Sequence, residues 1–138
     1  MQTTSKIKVL LVDDSVPYSH FVREAILQTK HECEIELAHN GLEALEKLKL
    51  RENTDEQYDI VITDLNMPIM SGFDLIRAIR QSHTLRNLAV AAISSQSRSD
   101  ISKLILALGA DIFFEKKGNM SSVAHDMDLA LQKLVLKK

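Results

Sequence analysis

The 138-residue sequence has a single cysteine and no long apolar stretch. Because one cysteine cannot form an internal disulfide, Cys33 favours a reducing compartment such as the cytoplasm. No segment approaches the ~20 consecutive apolar residues that a membrane-spanning helix needs. The first residues, MQTTSKIK, contain no apolar signal region. These absences predict a soluble cytoplasmic protein without a membrane partner.

Neither sign of charge dominates the sequence. It has 17 Lys and Arg residues against 19 Asp and Glu residues, a formal net charge of -2. Broad electrostatic attraction to nucleic acid is therefore not expected. The glycine-rich turn G-x-G-x-x-G, which holds a dinucleotide pyrophosphate, is also absent after the first apolar run. Nucleic-acid binding and dinucleotide binding are not predicted.

The length and the hydrophobic content, 45%, predict one globular domain over residues 1–138. Five apolar, strand-like runs alternate with five amphipathic helical segments. The strand-like runs are 8–14, 33–41, 59–64, 88–93 and 111–115, and the helical segments cover roughly 16–29, 42–48, 73–79, 101–108 and 123–134. Right-handed crossovers then predict an α/β fold, a doubly wound parallel sheet with helices on both faces. Such sheets bind ligands beyond the carboxyl ends of their strands.

Polar and charged residues collect at this carboxyl edge. They are Asp13 and Asp14 after the first strand, Asp64 after the third, Ser94 after the fourth, and Glu115, Lys116 and Lys117 after the fifth. Carboxylates held together repel one another, and a hard divalent cation relieves that repulsion. An oxygen-only ligand set favours Mg²⁺, which would leave room in its coordination shell for a phosphoryl group. A hydroxyl and a lysine ammonium nearby could hold the other phosphoryl oxygens.

Simpler interpretations exist for each residue alone. An isolated aspartate at a strand end is more often a helix cap or a turn residue. Serine after a strand is ordinary turn chemistry, and either Lys116 or Lys117 alone would more often be a solvated lysine. Three acids at two strand ends favour a functional interpretation of the whole group.

Four motifs, in this order and spacing, resemble the receiver domains of two-component response regulators, especially stand-alone, chemotaxis-type regulators. They are the Asp13-Asp14 pair, DLNMPIMSG from Asp64, AISSQ around Ser94, and FFEKK around Lys116. The resemblance covers nearly the whole chain. It implies a flavodoxin-like, five-stranded sheet in the order 2-1-3-4-5 with five helices, and a single receiver domain without an output domain.

The resemblance implies that Asp64 is the phosphoacceptor, with a sensor histidine kinase or a histidine phosphotransfer protein as the donor. It implies that Mg²⁺ is held by Asp14 directly, by Asp13 mostly through water, by Asp64, and by the main-chain carbonyl of Asn66. Lys116 would pair with the phosphate.

Output is implied to depend on Ser94 as the switch hydroxyl and Phe113 as the switch aromatic. The signal would reach a downstream effector protein through the face formed by helix four, strand five and helix five. The chain would be no conventional enzyme, because its only catalytic activity would be its own phosphorylation.

Two positions depart from the family pattern. Phe113 lacks the hydroxyl of the tyrosine often found at the switch position. Lys117 replaces the usual proline, and a cis peptide before a residue other than proline costs ~3 kcal/mol. We therefore expect a trans peptide between Lys116 and Lys117.

Two other functions remain as alternatives. A phosphatase of the haloacid-dehalogenase type also uses an aspartyl nucleophile and Mg²⁺, but it has a second acid two residues later, where this chain has Asn66. A receiver-like interaction module that is never phosphorylated is the second alternative.

Overall fold

Five strands and five α-helices alternate along the chain, as the sequence predicts. The computed structural model describes residues 6–96 and 99–136. The strands are β1 (Ile7–Val12), β2 (Cys33–Ala38), β3 (Ile60–Asp64), β4 (Ala89–Ser94) and β5 (Ile112–Glu115). The helices are α1 (Val16–Leu27), α2 (Gly41–Leu50), α3 (Gly72–Gln81), α4 (Ser99–Leu108) and α5 (Met120–Leu131), which continues as a π-helical segment, Gln132–Leu136.

The strands form one parallel sheet in the order β2-β1-β3-β4-β5, which confirms the predicted doubly wound, flavodoxin-like fold. β3 lies in the centre, and all five of its residues are buried. In register, Asp64 at the end of β3 lies opposite Ile93, and Ser94 at the end of β4 lies opposite Glu115. The carboxyl ends of the central strands therefore meet at one edge.

Alternate residues of the strands bury their side chains on opposite faces of the sheet. Leu10 and Val12 belong to a core that includes residues of α2, α3 and α4. Val9 and Leu11 belong to a second core that includes residues of α1 and α5. The period-two alternation of a strand produces this division, and both faces of the sheet are covered.

Short polar side chains cap the first turns of four of the helices. The N-cap residues are Ser15 of α1, Asn40 of α2, Ser71 of α3 and Asn119 of α5. Each side chain accepts a hydrogen bond from a backbone N–H of the first helical turn, a group without a partner inside the helix. These caps fix the strand-to-helix connections around the carboxyl edge.

Among residues 6–96 and 99–136, none of the helices combines the length and the apolar character that crossing a bilayer would require.

Candidate functional site

Three aspartates from two strand ends meet at the carboxyl edge of the sheet. One carboxylate oxygen from each of Asp13, Asp14 and Asp64 lies within 4.8 Å of the others. Asp13 is 4% exposed and Asp64 is 8% exposed, whereas Asp14 is open to solvent. The backbone N–H of Ser15 donates to Asp13 Oδ1 at 2.9 Å, which orients that carboxylate. The structure thus brings together the three acids that the sequence analysis singled out.

Lys116 bridges two of these acids. Its Nζ lies 3.1 Å from Asp13 Oδ2 and 3.2 Å from Asp64 Oδ2. The Nζ of Lys117 instead contacts Asp126 Oδ2 on α5, at 2.6 Å. Of the two adjacent lysines, Lys116 is therefore the one whose charge enters the acidic cluster.

Burial and mutual repulsion govern the ionisation of this cluster. Burial raises the pKa of Asp64, and the Asp13 carboxylate raises it further, while Lys116 and the Leu65 N–H oppose the increase. Burial alone would lower the pKa of Lys116, but Asp13 and Asp64 outweigh it, so this pKa is raised. Lys116 is consequently charged at neutral pH. With every group at its formal charge, the three carboxylates outnumber the one ammonium, so the formal charge of the cluster is negative.

The donor set fits Mg²⁺. All three clustered side chains offer carboxylate oxygens, the ligands that hard cations prefer, and exposed Asp14 leaves the cluster open to water. The net negative charge would favour a divalent cation at this point. Asn66 follows Asp64 by two residues in the β3–α3 loop and is exposed. The role of its main-chain carbonyl stays a prediction.

Two glycines hold the β3–α3 loop against the helices around it. A Cβ on Gly72 would lie 2.0 Å from the carbonyl oxygen of Asp64, and the Gly72 N–H donates to the Leu65 carbonyl at 2.8 Å. A Cβ on Gly41 would lie 2.7 Å from the carbonyl oxygen of Met70, which accepts the Gly41 N–H at 2.9 Å. The starts of α2 and α3 therefore fix the backbone that follows Asp64.

The same loop contains a γ-turn. The Met70 N–H donates to the Pro68 carbonyl at 2.7 Å, and the residue between them, Ile69, has a φ of 71°. This positive φ characterises the rarer, strained form of the γ-turn. Ile69 is also 78% exposed. The turn carries an apolar side chain into solvent in the loop that follows Asp64.

Ser94 and Phe113 lie on neighbouring strands near the acidic cluster. Ser94 is fully buried, and its Oγ accepts the Gln96 N–H at 3.1 Å. Its carbonyl accepts the Lys116 N–H at 2.8 Å, which joins β4 to the residue that contacts Asp64. Phe113 lies opposite Ala92 and packs, half-buried, against the core that includes residues of α2, α3 and α4. Their predicted switch roles stay predictions.

Tyr18 of α1 is a neighbour of the site that the sequence analysis missed. Its hydroxyl donates to the Lys117 carbonyl at 2.9 Å and accepts the Lys117 N–H at 3.2 Å. The Nζ of Lys116 lies 4.6 Å from the centroid of the Tyr18 ring. The described residues contain no cis peptide, so the Lys116–Lys117 bond is trans, as expected. No sequence pattern connects the first turn of α1 with the loop after β5.

Three similar proteins place this arrangement among known ones. Two-component response regulator ARR8 of Arabidopsis thaliana is 30% identical over an alignment of 151 residues, gaps included. The alignment covers 96% of this chain and 66% of that protein. Two-component response regulator ARR17 of the same plant is 34% identical over 125 residues, covering 86% of this chain and 80% of that protein. The chemotaxis response regulator CheY4 of Vibrio cholerae is 26% identical, with a TM-score of 0.77 over 92% of this chain and 100% of that one.

The chain spans only 66% of the length of ARR8, so that relative contains sequence with no counterpart here. Residues 9–128 match the family model of the response regulator receiver domain. This match covers most of the chain, and it agrees with the strand order and with the acidic cluster at the carboxyl edge. The chain therefore belongs to the response regulator receiver domains, a family of phosphorylation-dependent signalling switches.

Proposed function

We propose that this receiver domain accepts a phosphoryl group on Asp64 from the phosphohistidine of a sensor histidine kinase or a histidine phosphotransfer protein. The observation that carries the proposal is the position of Lys116. Its ammonium contacts both Asp64 and Asp13, within a cluster that also includes Asp14. A cation fixed beside a carboxylate can pair with the oxygens of a phosphoryl group attached to that carboxylate.

The transfer is a displacement at phosphorus. A carboxylate oxygen of Asp64 forms the new bond to phosphorus, the P–N bond of phosphohistidine breaks, and the histidine nitrogen leaves with the electron pair. The raised pKa of Asp64 reflects its burial first and the Asp13 carboxylate second. Lys116 and the Leu65 N–H, which donates to Asp64 Oδ1 at 2.8 Å, favour the ionised form that attacks.

Mg²⁺ would be held by Asp13, Asp14 and Asp64, with the main-chain carbonyl of Asn66 as the further ligand. When bound, the ion supplies positive charge that offsets the negative charge of the carboxylates and of the phosphoryl oxygens. The identity of Asn66 also supports a switch over a phosphatase of the haloacid-dehalogenase type. An asparagine at this position cannot serve as the second carboxylic acid that such a phosphatase uses.

Output to an effector protein would use the face formed by α4, β5 and α5. Leu104 and Leu106 of α4 are large apolar side chains that are exposed to solvent, and such side chains suit a protein partner. Ser94 ends β4, the strand between β3 and β5, and Phe113 belongs to β5 within this face. A hydroxyl that moves toward the phosphoryl group would change the packing around Phe113.

Phosphorylation by acetyl phosphate tests the assignment of Asp64. We expect Mg²⁺-dependent addition of one phosphoryl group to the wild-type chain, seen by intact mass spectrometry. Asp64→Asn should abolish the addition because the amide is not a nucleophile of comparable strength. Asp55→Asn, which changes an exposed aspartate of the α2–β3 connection, is the matched control and should react like the wild type.

Modification that persists in Asp64→Asn would show that another residue is the acceptor. Equal modification in the presence of a chelator would show that the reaction does not need Mg²⁺. A wild-type chain that takes no phosphoryl group, either from acetyl phosphate or from phosphorylated histidine donors, would favour the interaction module that acts without phosphorylation.

A further inference from the structure

Tyr18 contacts the functional site without belonging to the acidic cluster. Its hydroxyl binds both backbone groups of Lys117, and its ring lies beside the ammonium of Lys116. We propose that Tyr18 is a positioning residue that holds the Lys116 ammonium between Asp13 and Asp64. The effect of this role on the rate of phosphorylation rests on the proposed phosphorylation of Asp64. Its effect on the position of Lys116 does not.

The two hydrogen bonds restrain the backbone directly after Lys116. The Lys117 N–H belongs to the peptide bond that joins it to Lys116, and this N–H donates to the Tyr18 hydroxyl at 3.2 Å. The Lys117 carbonyl accepts from the same hydroxyl at 2.9 Å. One hydroxyl thus fixes both sides of a single residue. A proline at position 117 would remove the first of these bonds because proline has no N–H.

Helix α1 connects this restraint to the acidic cluster. The backbone N–H of Ser15 donates to Asp13 Oδ1, and the Ser15 side chain caps α1 by accepting the Tyr18 N–H at 3.2 Å. Asp13, Ser15 and Tyr18 therefore form one hydrogen-bonded unit at the start of the helix. When Tyr18 binds Lys117, the loop after β5 is held at a fixed distance from Asp13.

The aromatic ring restrains the side chain of Lys116 itself. Its ammonium lies 4.6 Å from the ring centroid, within the range of a cation–π contact, while it bridges Asp13 and Asp64. The adjacent Lys117 side chain is held elsewhere, by its ion pair with Asp126 on α5. The backbone and the side chain of Lys116 are thus restrained by different parts of Tyr18, the hydroxyl and the ring.

Two substitutions separate the hydroxyl from the ring. Tyr18→Phe removes the hydroxyl, and with it both hydrogen bonds, but keeps the ring. Tyr18→Leu removes the hydroxyl and the ring. With saturating Mg²⁺, we expect Tyr18→Phe to slow phosphorylation by acetyl phosphate about fivefold, less than two full hydrogen bonds would give, because water can bond to the freed backbone groups of Lys117. Tyr18→Leu should be slower than Tyr18→Phe.

Tyr58 offers a matched control at a distance from the site. Its hydroxyl donates to Glu36 Oε1 at 2.6 Å, and the Arg51 guanidinium carbon lies 4.2 Å from its ring centroid. Tyr58→Phe therefore removes a bonded hydroxyl and keeps a cation–π contact, as Tyr18→Phe does, but it lies just before β3 at the opposite edge of the sheet. We expect Tyr58→Phe to phosphorylate at the wild-type rate.

NMR spectroscopy of the unphosphorylated chain tests the geometry separately. Ring currents should shift the ε-methylene protons of Lys116 upfield in the wild type and in Tyr18→Phe, and the shift should vanish in Tyr18→Leu. Hydrogen exchange at the Lys117 amide should accelerate in Tyr18→Phe and stay unchanged in Tyr58→Phe. A purely structural role for Tyr18 would accelerate exchange across α1 as well, and that result would overturn the proposal.

The outcomes distinguish this proposal from the proposed function. A phosphorylated wild type with unchanged rates in Tyr18→Phe would overturn the positioning role and leave Asp64 as the acceptor. Equal slowing by Tyr18→Phe and Tyr58→Phe would also overturn it. If the wild type takes no phosphoryl group, the proposed function fails, and the NMR measurements decide alone. In that case unshifted Lys116 protons would overturn the positioning role, and shifted protons with a protected Lys117 amide would support it.

Discussion

Ile69 combines a β-branched side chain with a backbone conformation that such residues rarely adopt. Its φ is 71°, at the centre of the γ-turn in the β3–α3 loop. Replacing Ile69 by glycine would relieve this strain and so stabilise the folded protein by ~1–2 kcal/mol. The greater freedom of glycine in the unfolded chain would cancel ~0.5–1 kcal/mol of that gain. We expect Ile69→Gly to raise the free energy of unfolding by roughly 0.5–1 kcal/mol, as measured by urea denaturation.

Asn53 provides the control for this measurement because it also has a positive φ, 61°. Asparagine tolerates that conformation, so Asn53→Gly should give a smaller gain than Ile69→Gly. A loss of stability in Ile69→Gly, or a gain no larger than that of Asn53→Gly, would show that the γ-turn does not strain Ile69.

The residues of the acidic cluster could be anticipated from the sequence, but Tyr18 could not. Asp13, Asp14 and Asp64 end apolar runs, and parallel strands place such ends at one edge of the sheet. The contact between Tyr18 and Lys117 joins residues that are 99 positions apart. It depends on how α1 packs against the loop after β5, which no local pattern encodes.

At the scale of elements, the edge strand β2 is joined to α2 and to the start of β3 by the carboxylate of Glu36. This carboxylate accepts from Lys47 Nζ at 2.8 Å, from Arg51 Nη2 at 3.2 Å and from the Tyr58 hydroxyl at 2.6 Å. The hydrogen bond from Lys47, followed by that from Tyr58, lowers the pKa of Glu36 below its ordinary 4.5. The folded protein thus favours the ionised carboxylate.

A lowered pKa gives stability that is present above the unfolded value and is lost as the pH falls through the folded value. Glu36→Gln should therefore destabilise the protein near pH 7, by less than about 1 kcal/mol because the group is partly solvated. The difference from the wild type should shrink below pH 4.5, the ordinary value. Urea denaturation at several pH values measures it, and Glu34→Gln on the same strand controls for loss of an exposed carboxylate. A difference that grows on acidification would contradict this account.

The order and type of the elements followed from hydrophobic periodicity, whereas their ends did not. The sequence predicts the first helix over 16–29, but α1 ends at Leu27. The hydroxyl of Thr29 donates to the Ile26 carbonyl at 2.7 Å and so binds a terminal backbone group. The final helix changes to π-helical geometry over Gln132–Leu136. The spacing of apolar residues predicts a buried face without distinguishing the α-helical from the π-helical form.

At the scale of the whole molecule, the connection from Ser94 to Lys116 predicts how phosphorylation of Asp64 would reach the proposed output face, formed by α4, β5 and α5. The Lys116 N–H donates to the Ser94 carbonyl at 2.8 Å. A displacement of either residue would therefore be transmitted to both β4 and β5. With Mg²⁺ and beryllofluoride, a phosphoryl mimic, NMR shift changes should extend from Asp64 through Ser94 to Phe113, α4 and α5. In Ser94→Ala they should stay near Asp64 because the proposed switch hydroxyl is missing.

Ser95→Ala is the matched control, since Ser95 is adjacent in the chain but exposed. It should leave the full range of shift changes intact. Changes confined to the surroundings of Asp64 in the wild type, or changes that reach α5 in Ser94→Ala, would exclude this route through the molecule.

The close approach of Gly72 to Asp64 has a consequence for how the gene can change. Every amino-acid replacement that a single base change in a glycine codon can produce has a Cβ, and here that atom would lie 2.0 Å from the Asp64 carbonyl oxygen. No single base change in this codon therefore gives a different residue that fits against the Asp64 backbone. Glycine at this position would persist among descendants of the gene because of backbone geometry, without any contact between Gly72 and a phosphoryl group.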